Sequence, residues 1–180
     1  VYNANHSPFF STSPDENPNP DTFAKAMNFE TYNNNRSTRL FNLLSEKDTL
    51  TYEDFKRVKY DHSLPTPLNY NFVDFNAIFE MSPDNYPDVA DLLMDIQNWD
   101  RVASADSYGA GAFAVLYYSL GKYYSKLGPS KVFNKLLIYT CLKDAKKHLL
   151  KHFKTTSIRL GDFQKLIRGD KELPIFGLPD

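Results

Sequence analysis

The 180-residue sequence predicts a mainly α chain. Apolar residues recur at helical spacing through most of its second half and in two shorter stretches of the first. Strand-type alternation does not persist beyond the opening residues, and no repeat at the spacing of solenoids or propellers is present. Aromatic residues make up 15% of the chain, with twelve Tyr and fourteen Phe, so rings are expected to dominate the core.

The elements follow in order. Residues 1–6 read as extended. Residues 7–22, SPFFSTSPDENPNPDT, hold four prolines whose fixed φ and missing N–H argue against a helix or a central strand. Residues 1–32 thus form an extended start and a Pro-rich loop, and residues 33–180 a helical region, within one domain-sized piece. The first helix is expected from about Asn33 to Ser45, on the spacing of Leu40, Phe41, Leu43 and Leu44. In LTYEDFKRVKYD, Thr51 reads as an N-cap followed by first-turn acids, with Tyr52, Phe55 and Val58 on one side. NFVDFNAIFE suggests a short helix. Pro87 then suits the first turn of a helix whose face is Val89, Leu92, Leu93, Ile96 and Trp99. The run from about Ala105 to Lys126 is apolar almost all round, so it is expected at the centre, ended by Gly128-Pro129. Another helix is expected from Lys131 to Phe153, a last short one from Leu160 to Arg168, and ELPIFGLPD as coil.

Composition narrows the functional classes. A net charge of −1 argues against partners held by charge alone, so neither nucleic acid nor a membrane surface is expected. No apolar run approaches the roughly 20 residues of a membrane span. The single cysteine, Cys141, excludes an internal disulfide and reads as a small buried hydrophobe rather than a reactive thiol.

Several constellations invite a chemical reading. GAGA at 109–112 resembles part of a phosphate loop, but it lacks the spaced third glycine and a preceding strand. Small residues allowing close approach explain it better. His148 and His152 have the i, i+4 spacing of a metal pair. No intervening Glu or third ligand accompanies them, and KDAKKHLLKHFK reads as a solvated basic face. Asp84, Asp88, Asp91 and Asp95 are ordinary carboxylates at a helix start and on its wet side.

Arg36 and two asparagines stand apart. On a helical wheel Arg36 lies about 60° from the centre of the Leu40–Leu44 stripe and Arg39 about 120° away. Arg36 is therefore expected near the edge of the buried face, where a guanidinium needs partners. Asn3 and Asn5 are either bland turn residues or, for one of them, an amide donor to an oxyanion.

Four segments carry a resemblance: YNANHSPFFSTSPDENPNP, the NNNRSTRLFNLL helix, WDRVASADSYGAGAFAVLYY and RLGDFQKLIRGDKELPIFGLPD. In order and spacing they resemble the penicillin acylase family of N-terminal nucleophile hydrolases, the last segment being similar to acylases of the homoserine-lactone and aculeacin type. The resemblance implies an amide hydrolase cut from one precursor. Its nucleophile heads the β subunit, and the free α-amine of that residue acts as base. The second asparagine of the family's N-x-N motif, an oxyanion donor, falls on Asn5. The helix-opening arginine that supports that asparagine and the nucleophile falls on Arg36.

By this resemblance the chain is the helical portion of an αββα β subunit, an internal fragment with Tyr2–Phe10 as a strand end. Its partners are the rest of the β subunit, the α subunit and a small N-acylated substrate. The fragment alone is expected to be inactive, and the parent periplasmic or secreted. No cofactor is expected in this chain, while the family's full-length enzymes can carry calcium. Asp21 falls near one calcium-ligand position, but the spacing around it departs from the pattern and it is not assigned. The alternative is a non-catalytic helical scaffold or interaction module.

Overall fold

A computed structural model describes residues 1–70, 73–127 and 135–179. The chain divides into two compact units, Val1–Asn71 and Phe72–Pro179. Among the described residues it is mainly helical, with a single two-stranded sheet.

The first unit contains α1 (Asn35–Leu44) and α2 (Tyr52–Lys59). Residues 1–32 pack with them rather than standing apart from one helical region over 33–180. Tyr2 bonds Ser37 through its hydroxyl at 3.2 Å and lies 6.0 Å from the Phe41 ring. The expected strand end at Tyr2–Phe10 is absent. Asn5 takes a left-handed φ of 54°, which breaks an extended run, and Pro8 opens a single 3-10 turn over Pro8–Phe10. A second such turn, Pro20–Thr22, follows the same rule, since proline lacks an N–H that a first-turn position does not use. Edge-to-face contacts join the rings of Phe9, Phe23 and Phe29.

α2 starts where the sequence places its cap, and α1 starts within two residues of the expected Asn33. Asn34 caps α1 by accepting the Ser37 N–H, and Thr51 and Asp54 form a reciprocal capping box on α2. Leu43 is buried and the rest of its stripe half-buried. On α2, however, Tyr52 and Phe55 are exposed, so its apolar side lacks the expected burial.

The second unit is built around α4 (Tyr108–Leu127), whose Ala110, Phe113, Leu116 and Leu120 are all fully buried. Around it lie α3 (Ala90–Gln97), α5 (Lys135–His152) and α6 (Leu160–Phe163). The expected stop at Gly128-Pro129 and start at Lys131 lie outside the described residues. NFVDFNAIFE holds a 3-10 helix over Phe75–Glu80 that buries Phe75 and Ile78.

The glycines of GAGA serve close approach. A Cβ on Gly109 would stand 2.3 Å from Trp99 Cβ, and one on Gly111 2.2 Å from the Ile158 carbonyl oxygen. Backbone bonds then tie two motif segments together. Leu160 N–H donates to Ser107 O at 2.9 Å, Gly161 N–H to Ala105 O at 2.7 Å, and Gly177 N–H to Ala103 O at 2.9 Å.

The last expected helix is shorter than the sequence suggests. It ends at Phe163, and β1 (Lys165–Arg168) pairs antiparallel with β2 (Lys171–Pro174) where helix and coil were expected. Gly169 at φ 61° opens the two-residue turn, a position that favours glycine.

Candidate functional site

The Asn5 backbone is bonded to the N-terminal turn of α1, the turn that carries Arg36. Asn3 and Asn5 do different jobs. The Asn3 side-chain oxygen accepts the Asn5 N–H at 2.8 Å, so Asn3 closes a local turn. Asn34 then donates through Nδ2 to the Asn5 carbonyl at 3.1 Å while its own oxygen caps α1 through the Ser37 N–H at 2.8 Å. One side chain thus joins the Asn5 backbone to the helix that carries Arg36 two residues later. Asn5 is exposed, and its side-chain amide makes no hydrogen bond among the described residues.

His6 braces the same loop. Its Nδ1 accepts the Ala4 N–H at 3.0 Å, so Nε2 carries the proton and donates to the Phe10 carbonyl at 3.1 Å. Tyr2 stacks on the imidazole at 4.9 Å between centroids. Asn5 therefore sits between two peptide units whose partners are fixed on either side.

The asparagine run before Arg36 is used residue by residue. Asn33 accepts the Asn34 N–H and donates to Thr38 Oγ1. Asn35 is buried and exchanges two hydrogen bonds with the Asn69 backbone, at 2.7 and 2.8 Å. A buried amide with both ends bonded to a peptide unit fixes where residue 69 lies against α1.

The two arginines of α1 stand opposite to their wheel positions. Arg36 is exposed, and Arg39 is half-buried in a bidentate pair with Asp61 at 2.8 and 3.0 Å. The wheel orders residues around the Leu40–Leu44 stripe, which belongs to the later turns. At the first turn the chain buries Asn35 and Ser37 instead, against residues 2 and 69. Burial works to raise the Asp61 pKa, but the hydrogen bond from Arg39 outweighs it together with smaller contributions, and the carboxyl ends below its ordinary range.

The other candidates resolve into structure. Cys141 is fully buried on α5, and burial, aided by Asp144, pushes its thiol up to about 12. The His148 and His152 rings lie 4.6 Å apart, and burial first, then neighbouring cations, lowers the His148 pKa. No group of three metal-binding side chains exists among the described residues. Asp88 accepts from Tyr139 at 2.8 Å and Asp91 pairs with Lys146 at 2.8 Å, tying the α3 region to α5. Asp84 lies in a 3-10 turn, Pro83–Asn85, and Asp95 within α3. Asp21 donates its N–H to Asn19 as part of a turn. No helix among the described residues is long and apolar enough to cross a membrane.

Sequence reasoning missed Asn34, His6 and Asn69. Asn34 carried a usable signal, since asparagine just before a periodic apolar run is a strong N-cap. Asn69 carried none, because its partners are groups of residues 33 and 35 that only the folded chain brings near, and the contacts of His6, though local, follow no recognised turn pattern.

Comparison with curated proteins returns no match. The family model for penicillin amidase matches residues 1–168, which includes the Asn3–Asn5 turn, α1 and the interlocked segments around α4 and α6. The chain belongs to the penicillin amidase family.

Proposed function

We propose that the protein of which this chain is a part deacylates linear N-acyl amides, and that Asn5 donates its side-chain amide to the oxyanion. The observation that carries the reading is the division of labour between the two asparagines. The oxygen of Asn3 is spent on the Asn5 N–H, whereas the Asn5 amide is exposed, unbonded and mounted on a backbone held at both ends. A donor free of competing bonds, on a backbone already held in place, is available when charge develops on an attacked carbonyl. The family supplies the amide-hydrolase class. The nucleophile and its amine base come from outside this chain, so the chain alone turns over no acyl amide. Arg36, on the same helical turn, orients the Asn5 amide and the nucleophile.

Steady-state kinetics of the processed parent enzyme on an acyl anilide test this. Asn5→Ala is expected to lower kcat by about 100- to 1,000-fold with little change in KM, as for loss of one oxyanion donor. Asn3→Ala acts on stability and leaves kcat within a few-fold. Arg36→Lys lowers kcat because a point charge does not reproduce the planar fork. A near wild-type kcat in Asn5→Ala, or a larger loss in Asn3→Ala, would overturn the assignment.

A further inference from the structure

Arg101 is a cation with an unmet need. Its guanidinium carbon lies over the Phe79 ring, 3.5 Å from the centroid, with the Trp99 ring at 5.7 Å. Its NH1 is sealed from solvent and has no hydrogen-bond partner. No carboxylate pairs with it among the described residues, and burial alone displaces its pKa, downward. The neighbouring Asp100 turns Oδ1 to the Val102 N–H at 2.9 Å instead. Elsewhere in this unit other cations lie at hydrogen-bonding distance from acids, Arg159 with Asp162 at 3.0 Å on an exposed site and the half-buried Lys146 with Asp91 at 2.8 Å. Arg101 is half-buried and has no acid among the described residues.

A guanidinium cannot shed its charge to escape burial, so the cost has to be met by a partner. With NH1 covered, the edge that remains is Nε with NH2. Those two N–H groups form the parallel fork that a carboxylate takes side-on. The turn that carries Arg101 is itself fixed: Trp99 Nε1 donates to Val102 O at 2.9 Å across it, and Arg101 sits at φ 68° within it. A ring on one side excludes water and strengthens a charge-assisted bond at the open edge.

We infer that Arg101 is the receptor for one carboxylate group, bound side-on by Nε and NH2 on the aromatic shelf of Phe79 and Trp99. The site makes no use of Asn5 or Arg36 and does not depend on the acylase reading. Two sources share this chemistry, a free organic carboxylate and an Asp or Glu side chain of a polypeptide.

Trp99 is the only tryptophan in the chain, so its fluorescence reports on this site. The protein is titrated with sodium acetate, with a blocked aspartate (N-acetyl-aspartyl N-methylamide) and with sodium phosphate, ionic strength being held constant with sodium chloride. A saturable change is expected with a half-point on the order of 10 mM, as suits one small anion on one fork. Arg101→Met abolishes it, and Arg101→Lys weakens it by about tenfold because the fork is lost. Saturation by acetate identifies a free carboxylate as sufficient. Saturation by the blocked aspartate alone assigns the partner to a polypeptide side chain. The inference fails if neither carboxylate saturates, if phosphate saturates where the carboxylates do not, or if the variants respond as the wild type does. Arg101→Lys keeps the test decisive should Arg101→Met not fold.

Discussion

At residue scale, Asn5 combines two properties that one substitution confounds. Its φ of 54° is left-handed, a region costly to most side chains, tolerated by asparagine and natural to glycine. Its amide is a separate asset. Asn5→Ala removes the amide and also adds strain of about 1–2 kcal/mol. Asn5→Gly removes the amide and keeps the backbone. The two variants are therefore expected to lose kcat alike in the processed enzyme, while only Asn5→Ala lowers the melting temperature. Kinetics beside thermal melts check this, and recovery of kcat in Asn5→Gly would assign the effect to backbone strain rather than to the donor. Motif order in the sequence set Asn5 and Arg36 side by side as an expectation, and the structure joins the Asn5 backbone to the start of α1 through Asn34. The left-handed conformation of Asn5 was not legible there, because Asn34 reaches the Asn5 carbonyl from 29 residues away. The wheel reading of Arg36 and Arg39 failed for a related reason. Asp61, which draws Arg39 in, lies beyond the next helix and leaves no trace in the local pattern.

At the scale of elements, capping chemistry was legible and burial was not. Thr51 and Asp54 mark the start of α2 through interactions three residues apart, so sequence suffices to find them. Which side of α2 meets the core depends on what packs there, and Tyr52 and Phe55 stay exposed. The hairpin was missed because each strand is four residues long and wholly exposed, too short to show a period. The capping box also carries a pH signature. Asp54 accepts hydrogen bonds from Lys47, then from the Thr51 hydroxyl and N–H, and these hold its carboxyl well below the ordinary range. A depressed folded pKa contributes stability that is complete above the unfolded value, about 3.9, and fades as pH falls toward the folded one. Asp54→Asn should thus be less stable than wild type at neutral pH, with the gap closing below about pH 4. Urea midpoints of both proteins across that range measure it. A gap that stays constant would show that the carboxylate's charge is not what the cap uses. Thr51→Ala, which removes the cap without a titrating group, is expected to cost about 1 kcal/mol at neutral pH.

At the scale of the whole molecule, the second unit rests on how closely chain segments approach α4. The segment 103–111 and the segment 158–177 exchange backbone hydrogen bonds at three points, and no side chain larger than hydrogen fits between them at Gly111. That explains why the sequence carries ADSYGAG and RLGDF as separate signals: they are the two halves of one contact. The same helix supplies a control. Gly121 faces open space, so a methyl group there meets nothing and reduces the freedom of the unfolded chain. Gly111→Ala is expected to destabilise by about 3 kcal/mol, because the obstruction is backbone and cannot swing aside as a side chain does. Gly121→Ala is expected to stabilise by about 0.5–1 kcal/mol, the ordinary gain of alanine over glycine within an exposed helix. Equilibrium unfolding of the two variants compares them within one element, so helix propensity cancels and the difference reports the contact alone. Two alanines with shifts of the same sign and size would mean that residues 158–160 are not seated against α4. The observed spread between the variants is then the direct measure of how far the unit depends on that seat.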